Sequence, residues 1–195
     1  YEYFYWDYVL GILLLSIISA FTLGSIGTEG RSFIVDLQQA DWSNIGSAFL
    51  GGIVFNAANI LLAAAIAVSG LSVAFPVGVG LALVLGVLIN YFGAAKGDPL
   101  FIALGVLLIV IAIVMNAIAY KIAQVESKTV TRKGIILSIV AGIIMAFFYR
   151  FIAASMDLTS FANPAAGKLT PYTAVFIFAL GVLASNFIFN TIAMK

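Results

Sequence analysis

The sequence contains no cysteine and no histidine, and only 9% of its 195 residues are charged. Without cysteine there is neither a disulfide nor a thiolate metal site, and without histidine the commonest metal ligand and proton relay is missing. A metalloenzyme is therefore a poor reading, and no metal or cofactor is expected. The net charge of +1 supplies no basic face, so nucleic acid is not expected as a partner. The HExxH zinc motif cannot occur. A phosphate loop fails at Gly167-Lys168, which has Ala162 where the motif needs glycine and Leu169 where it needs Ser or Thr. No nucleophile elbow or intramembrane carboxylate pair is visible, and the acids lie in loops or at the ends of apolar runs. Catalysis has little support, and the chain is read as not an enzyme.

What is present is apolar. The chain is 64% hydrophobic with a mean hydropathy of +1.18, whereas an ordinary soluble domain is roughly 45–50% apolar and about 25% charged. Long uninterrupted apolar runs favour helices over a β-barrel, so the expected fold is an all-α, polytopic helical membrane protein in contact with the lipid bilayer. A hydrocarbon core of roughly 30 Å takes about 20 residues at 1.5 Å each. Runs of that length place spans near Tyr8–Ile26, Ile45–Val68, Leu71–Phe92, Leu100–Tyr120, Ile135–Met156 and Pro171–Met194. Tyr1–Tyr8, an aromatic cluster, reads as an anchor at the lipid headgroups before the first span. Gly27–Asn44 is the most polar stretch; its Phe33, Ile34, Leu37 and Trp42 would permit a short surface helix, but an ordered loop is the favoured reading. Basic residues in short loops put Lys121, Lys128, Arg132, Lys133 and Lys195 in the cytoplasm, and Arg31, Lys96 and Lys168 outside.

The polar residues inside the spans carry the functional reading. The segment Asp41–Phe92 forms a helical hairpin turning at Ser69-Gly70. In its first half, Ser47 over Gly51 and Ala48 over Gly52 make two small-xxx-small pairs that admit another backbone. Asn56 and Asn59, three apart, project to one side near mid-bilayer, where an unpaired polar group costs several kcal/mol and must find a helix partner or a wet cavity. Pro76 removes one backbone hydrogen bond, so the helix should bend or open near Ser72 and Val73, with Gly78 and Gly80 completing a hinge. Asn90 closes that span, and Asn116 lies one turn from Tyr120. Arg150 is the one charge well inside an apolar run and must snorkel, pair or face water, since burying it costs from about 2.5 to more than 10 kcal/mol. Asp157 is too far along the axis to pair with it directly. Asn186 and Asn190 repeat the one-turn amide spacing. Candidate solute-binding residues are Asn56, Asn59, Asn90, Asn116 and Arg150, and the candidate hinge is Pro76, Gly78 and Gly80. Proton coupling would need an edge group such as Asp7 or Asp157, or residues outside the chain.

Three blocks, DYVLGILLLSIISAFTLGSIG, DLQQADWSNIGSAFLGGIVFNAAN and GLSVAFPVGVGLALVLGVLINYF, follow one another as in the ureide permease family and its bacterial relatives, within the drug/metabolite transporter superfamily. Arg132–Lys195, including LTPYTAVFIFALGVLASNF, resembles the later part of that family more weakly. The resemblance implies a ten-helix transporter of two inverted five-helix repeats moving small polar solutes such as ureides, nucleobases or sugars, with or without protons. Residues 1–195 would form a single membrane domain, with 1–123 most of a first repeat and 134–195 the start of a second. It also implies one span before Tyr1, about three after Lys195, and a cell-membrane location, the inner membrane if the source is bacterial. The short link Gln124–Gly134 departs from the long central loop with a phosphate-loop-like motif expected of plant members. The competing reading is a non-transporting membrane subunit or assembly factor, whose amides hold helices to partners; a homo-oligomer or a partner membrane subunit fits either reading.

Overall fold

A computed structural model describes residues 2–26, 30–94, 97–123 and 131–193. Seven helices make up the described chain: α1 (Glu2–Phe21), α2 (Phe33–Gln39), α3 (Trp42–Ser69), α4 (Leu71–Ala94), α5 (Pro99–Ala123), α6 (Arg132–Ser155) and α7 (Pro171–Ala193). All except α2 are long and apolar enough to cross a bilayer. The span limits expected from sequence agree with these helices to within a few residues, apart from the first. There the aromatic cluster does not precede the helix but forms its opening turns, because Tyr5 and Val9 lie on the same buried face as Ser16 and Ala20. The polar link at 124–130 and part of the loop at 27–29 lie outside the described residues.

Packing divides the chain into two compact units, Tyr1–Asn56 with Phe148–Lys195, and Ala57–Phe147. In the first, α1 runs antiparallel along α7, with the Trp6 ring 4.9 Å from Phe187 near one end and Gly24 against Tyr172 near the other. The stretch read as a loop contains α2, which corrects that expectation. Its Phe33 is buried edge-on between Phe21 and Phe176, each 5.2 Å away, so aromatic packing holds a helix of only seven residues that could not persist alone.

In the second unit, Gly70 has φ +80°, the left-handed conformation that lets α3 turn directly into α4. Thr131 caps α6, its Oγ1 accepting from the Gly134 N–H at 3.1 Å, and the buried Ser69 hydroxyl lies 3.0 Å from the same oxygen. The start of α6 is thereby pinned to the α3–α4 turn. Helix α4 continues through Pro76 without interruption, so the opening expected near Ser72 and Val73 is not seen. Pro76 lies in the second turn and is itself buried, where only the bond to the Ser72 carbonyl is forgone. Gly78 lies against Leu62 of α3, Ser138 and Gly142 of α6, and Gly80 lies against Ile113 of α5.

Size rather than polarity separates inside from outside. The buried apolar residues are dominated by alanine, including Ala48, Ala58, Ala65, Ala74, Ala141, Ala174 and Ala179, while leucine, isoleucine and phenylalanine are numerous on the surface. Lipid tails solvate large apolar groups as well as a protein interior does, so close backbone approach decides which side faces in. Helix α5 is the extreme case: none of its best spanning window is buried.

Candidate functional site

The first half of α3 presents two adjacent stripes of small residues. Ser47, Gly51 and Phe55 meet α6, with the Ser47 hydroxyl donating to the Phe151 carbonyl at 2.7 Å and the Phe55 ring edge-on to Phe148 at 5.2 Å. Ala48, Gly52 and Asn56 occupy the neighbouring stripe, and there Gly52 and Gly181 bring α3 and α7 together at backbone distance. A Cβ on Gly52 would come within 2.2 Å of the Phe178 carbonyl oxygen, and one on Gly181 within 2.1 Å of the Phe49 oxygen. Both small-xxx-small pairs thus do what their spacing implies, each against a different helix.

One turn beyond Gly52, the same seam becomes polar. Asn56 is fully buried; its Nδ2 donates to Ser185 Oγ at 2.9 Å and to the Val182 carbonyl at 3.3 Å, while its Oδ1 has no partner among the described residues. The Ser185 hydroxyl in turn donates to the Gly181 and Val182 carbonyls. The next residue, Asn186, is also fully buried, and neither its amide nitrogen nor its oxygen has a partner among the described residues. Asn190 is buried one turn further on. Buried side-chain amides are ordinarily hydrogen-bonded, so orphaned amide atoms at one level of one seam need an explanation.

The remaining sequence candidates are differently placed. Asn59, in the second unit, is half-buried. Asn90 donates to the Gly86 carbonyl of its own helix at 2.7 Å, a local bond that uses one of its two N–H donors. Asn116 is exposed on α5. Arg150, in the first unit, is exposed five residues before the end of α6, a position from which a long side chain can snorkel to the interface. It forms no ion pair with Asp157 among the described residues.

A polar strap on the loop side of the first unit escaped the sequence reading. Asp36 of α2, fully buried, accepts from Arg31 Nε at 2.9 Å, Gln39 Nε2 at 3.2 Å, and the Thr170 N–H and hydroxyl at 2.7 and 2.9 Å. The Arg31 guanidinium also donates to the Pro164 and Lys168 carbonyls at 2.7 and 2.8 Å. Lys168 reaches Asn44 Oδ1 at 3.1 Å, and Asn44 donates to the Gly167 carbonyl at 2.8 Å. Three charges, Arg31, Asp36 and Lys168, and the amides of Gln39 and Asn44 are consumed in tying 30–44 to 164–170. A cavity of about 600 Å³ opens beside the strap between Ser25, Arg31, Phe161 and Tyr172. The guanidinium on its wall is already committed to carbonyls and Asp36. Further along the same connection, the Thr159 hydroxyl and N–H and the Ala165 N–H donate to Asp157 and lower its pKa from 3.8 to about 2. A carboxylate so held is ionised near neutral pH.

The arrangement can receive a neutral hydrogen-bonding group, and no cluster of metal-ligating side chains occurs among the described residues. Comparison with known proteins is consistent with that chemistry. The family model described as Ureide permease matches residues 4–133. The chain is 31% identical over 182 residues to Ureide permease 1 of Arabidopsis thaliana, covering 92% of this chain and 44% of that protein. It is 37% identical over 94 residues to Ureide permease 2 of the same plant, covering 47% and 24%, and 30% identical over 116 residues to Probable ureide permease A3 of Vigna unguiculata, covering 56% and 31%. The chain spans less than half the length of these curated relatives. All three are plant proteins and lend no support to a bacterial inner membrane. No solved structure matches the chain.

Proposed function

The chain belongs to the ureide permease family, and from that premise we propose that it is part of a secondary active transporter that carries a small polar solute such as a ureide, nucleobase or sugar across a cell membrane. The observation that carries the reading is the match of the family over residues 4–133, which includes Asn56 and the whole α3–α4 hairpin. A fully buried amide midway along a membrane-spanning helix supports it. Asn56 is the fifteenth of the 28 residues of α3, about 20 Å from either end, and transporter sites commonly lie at that depth. In this reading Asn56 and Asn59 supply hydrogen bonds to the solute, and Asn90, Asn116 and Arg150 line its route in other states of the cycle. The stretch Pro76–Gly80, where one helix bond is missing and two glycines ease sliding, takes up the movement of alternating access. The surroundings are the lipid bilayer. Coupling to protons would use an edge group such as Asp7 or Asp157, or groups outside the chain.

The test is uptake of labelled ureides, nucleobases and sugars into vesicles, with Asn56→Ala and Asn59→Ala beside the wild type. Loss of uptake with normal expression and assembly supports binding. Loss of assembly instead supports the membrane-subunit alternative, which family membership does not favour, and reports on any homo-oligomer or partner subunit.

A further inference from the structure

We infer that Arg150 and Lys168, near one end of α6, form a seat for the phosphate of an anionic phospholipid at the rim of the first unit. The seat goes beyond the transport reading: in this conformation it names what lies against the protein, not what passes through it. Arg150 is exposed inside a membrane-spanning helix, about 7.5 Å from its last residue. It makes no ion pair or side-chain hydrogen bond among the described residues. A guanidinium rooted in hydrocarbon has to reach an anion or water, and its long stem lets it do so at the headgroups.

One turn further on the same face, the Ala154 carbonyl accepts from Lys168 Nζ at 2.7 Å. Asn44 Oδ1 takes a second ammonium hydrogen at 3.1 Å, and the third is left over. Two cations thus meet along one helix face, and no carboxylate offsets them. Asp36 is taken by Arg31, Asp157 is held by Thr159 and Ala165, and Asp41 lies against Gly167 without an ion pair to Lys168.

The surroundings identify the anion. Trp42, two residues before Asn44 and 85% exposed, is of the residue type that settles among lipid headgroups, and Tyr149, beside Arg150, is exposed as well. A phosphodiester fits, because its free oxygens can accept two hydrogen bonds from a guanidinium and one from an ammonium. The spanning segment that carries Arg150 favours a lipid phosphate over a soluble one. An anionic headgroup keeps the attraction of both cations, whereas the choline of phosphatidylcholine brings a positive charge of its own.

The test is native mass spectrometry of the detergent-solubilised full chain, titrated with phosphatidylglycerol or with phosphatidylcholine of the same acyl chains. The wild type should bind its first phosphatidylglycerol more tightly than its first phosphatidylcholine, by about fivefold for each cation. Arg150→Gln should lose about fivefold of that preference, and Arg150→Lys, which keeps the charge, should retain most of it. Because Arg150 is exposed, the glutamine variant should unfold at the wild-type temperature in phosphatidylcholine alone. Added phosphatidylglycerol should raise that temperature more in the wild type than in the variant. Equal affinity of the wild type for the two lipids overturns the inference, as does a glutamine variant that keeps the full preference. Early unfolding of that variant in phosphatidylcholine would make Arg150 structural and overturns it too. Displacement of phosphatidylglycerol by inorganic phosphate would mark a site for soluble anions and has the same consequence.

Discussion

Replacing glycines of α3 by alanine one at a time should produce a graded loss of stability that follows the distance to the neighbouring backbone. Gly46, Gly51 and Gly52 share a helix and a bilayer, so intrinsic helix propensity cancels between them, each gaining about 0.5–1 kcal/mol on becoming alanine. They differ in what a methyl group meets. At Gly46 there is nothing within 4 Å. At Gly51 the nearest atoms are Ile152 Cγ1 at 3.0 Å and the Phe148 oxygen at 3.2 Å, so a side chain can yield by a few tenths of an ångström. At Gly52 the obstacle is backbone: the Phe178 oxygen at 2.2 Å and the Val182 nitrogen at 2.8 Å.

Relieving the Gly52 clash to the 3.4 Å of ordinary contact opens the α3–α7 seam by about 1.2 Å at that point. The Asn56 to Ser185 bond, 2.9 Å long and one turn away, would stretch beyond hydrogen-bonding range. Overpacking of this kind costs about 1–3 kcal/mol and the lost bond about 1 kcal/mol, so after the propensity gain Gly52→Ala should destabilise by roughly 1–3 kcal/mol. At about 2–4 °C per kcal/mol for a chain of this size, the unfolding temperature should drop by on the order of 10 °C. Gly46→Ala should leave it unchanged or slightly raised, with Gly51→Ala between. Tryptophan fluorescence of the detergent-solubilised protein during a temperature ramp reads all three. Equal unfolding temperatures for the Gly46 and Gly52 variants would refute the idea that backbone contact between α3 and α7 holds the first unit together.

Two further outcomes concern the loop side. Asp36→Ala removes the acceptor common to Arg31, Gln39 and Thr170 and strands a partly buried guanidinium, so the first unit should lose about 3–5 kcal/mol, measured by thermal unfolding, and 30–44 should become open to protease. Thr159→Ala should raise the Asp157 pKa from about 2 towards 3.8, followed by carboxyl-carbon NMR. Because the folded pKa is the depressed one, the stabilisation is present above pH 3.8 and vanishes as pH falls through about 2; the variant should begin losing loop structure at a higher pH than the wild type.

The spans were legible because each is a local property: about 20 apolar residues between breakers need no knowledge of neighbours. The α3–α4 turn was legible for the same reason, since Ser69-Gly70 offers the one residue type that takes φ +80° without strain. The pairs Ser47 with Gly51 and Ala48 with Gly52 announced close approach, although only folding shows that one pair meets α6 and the other α7. The polar strap was hidden. Asp36, Gln39 and Thr170 carry no spacing signal, because Asp36 and Thr170 are 134 residues apart and meet only after α2 has docked through Phe33. Aromatic docking also made a helix where polarity suggested a loop.

The amides show where such reading stops. By spacing, three apart for Asn56 and Asn59 and four for Asn186 and Asn190, both pairs lie about one turn apart on a helix, and an isolated Asn116 or Arg150 in an apolar run looks at least as costly. Cost, however, depends on which side of the helix faces in. Asn116 and Arg150 are exposed, and Asn90 returns its proton to its own helix, so none of the three is left with a buried unmet demand. On α7, Ser185 and Asn186 differ by a single position, yet the first is satisfied by its own turn and by Asn56 while the second is satisfied by nothing in the described chain. A helix that bonds one of two adjacent polar residues and leaves the other open, beside a seam closed by glycine contact, carries a folding cost that packing does not require. The open amide, rather than the most conspicuous charge, is therefore the polar group that packing among the described residues explains least.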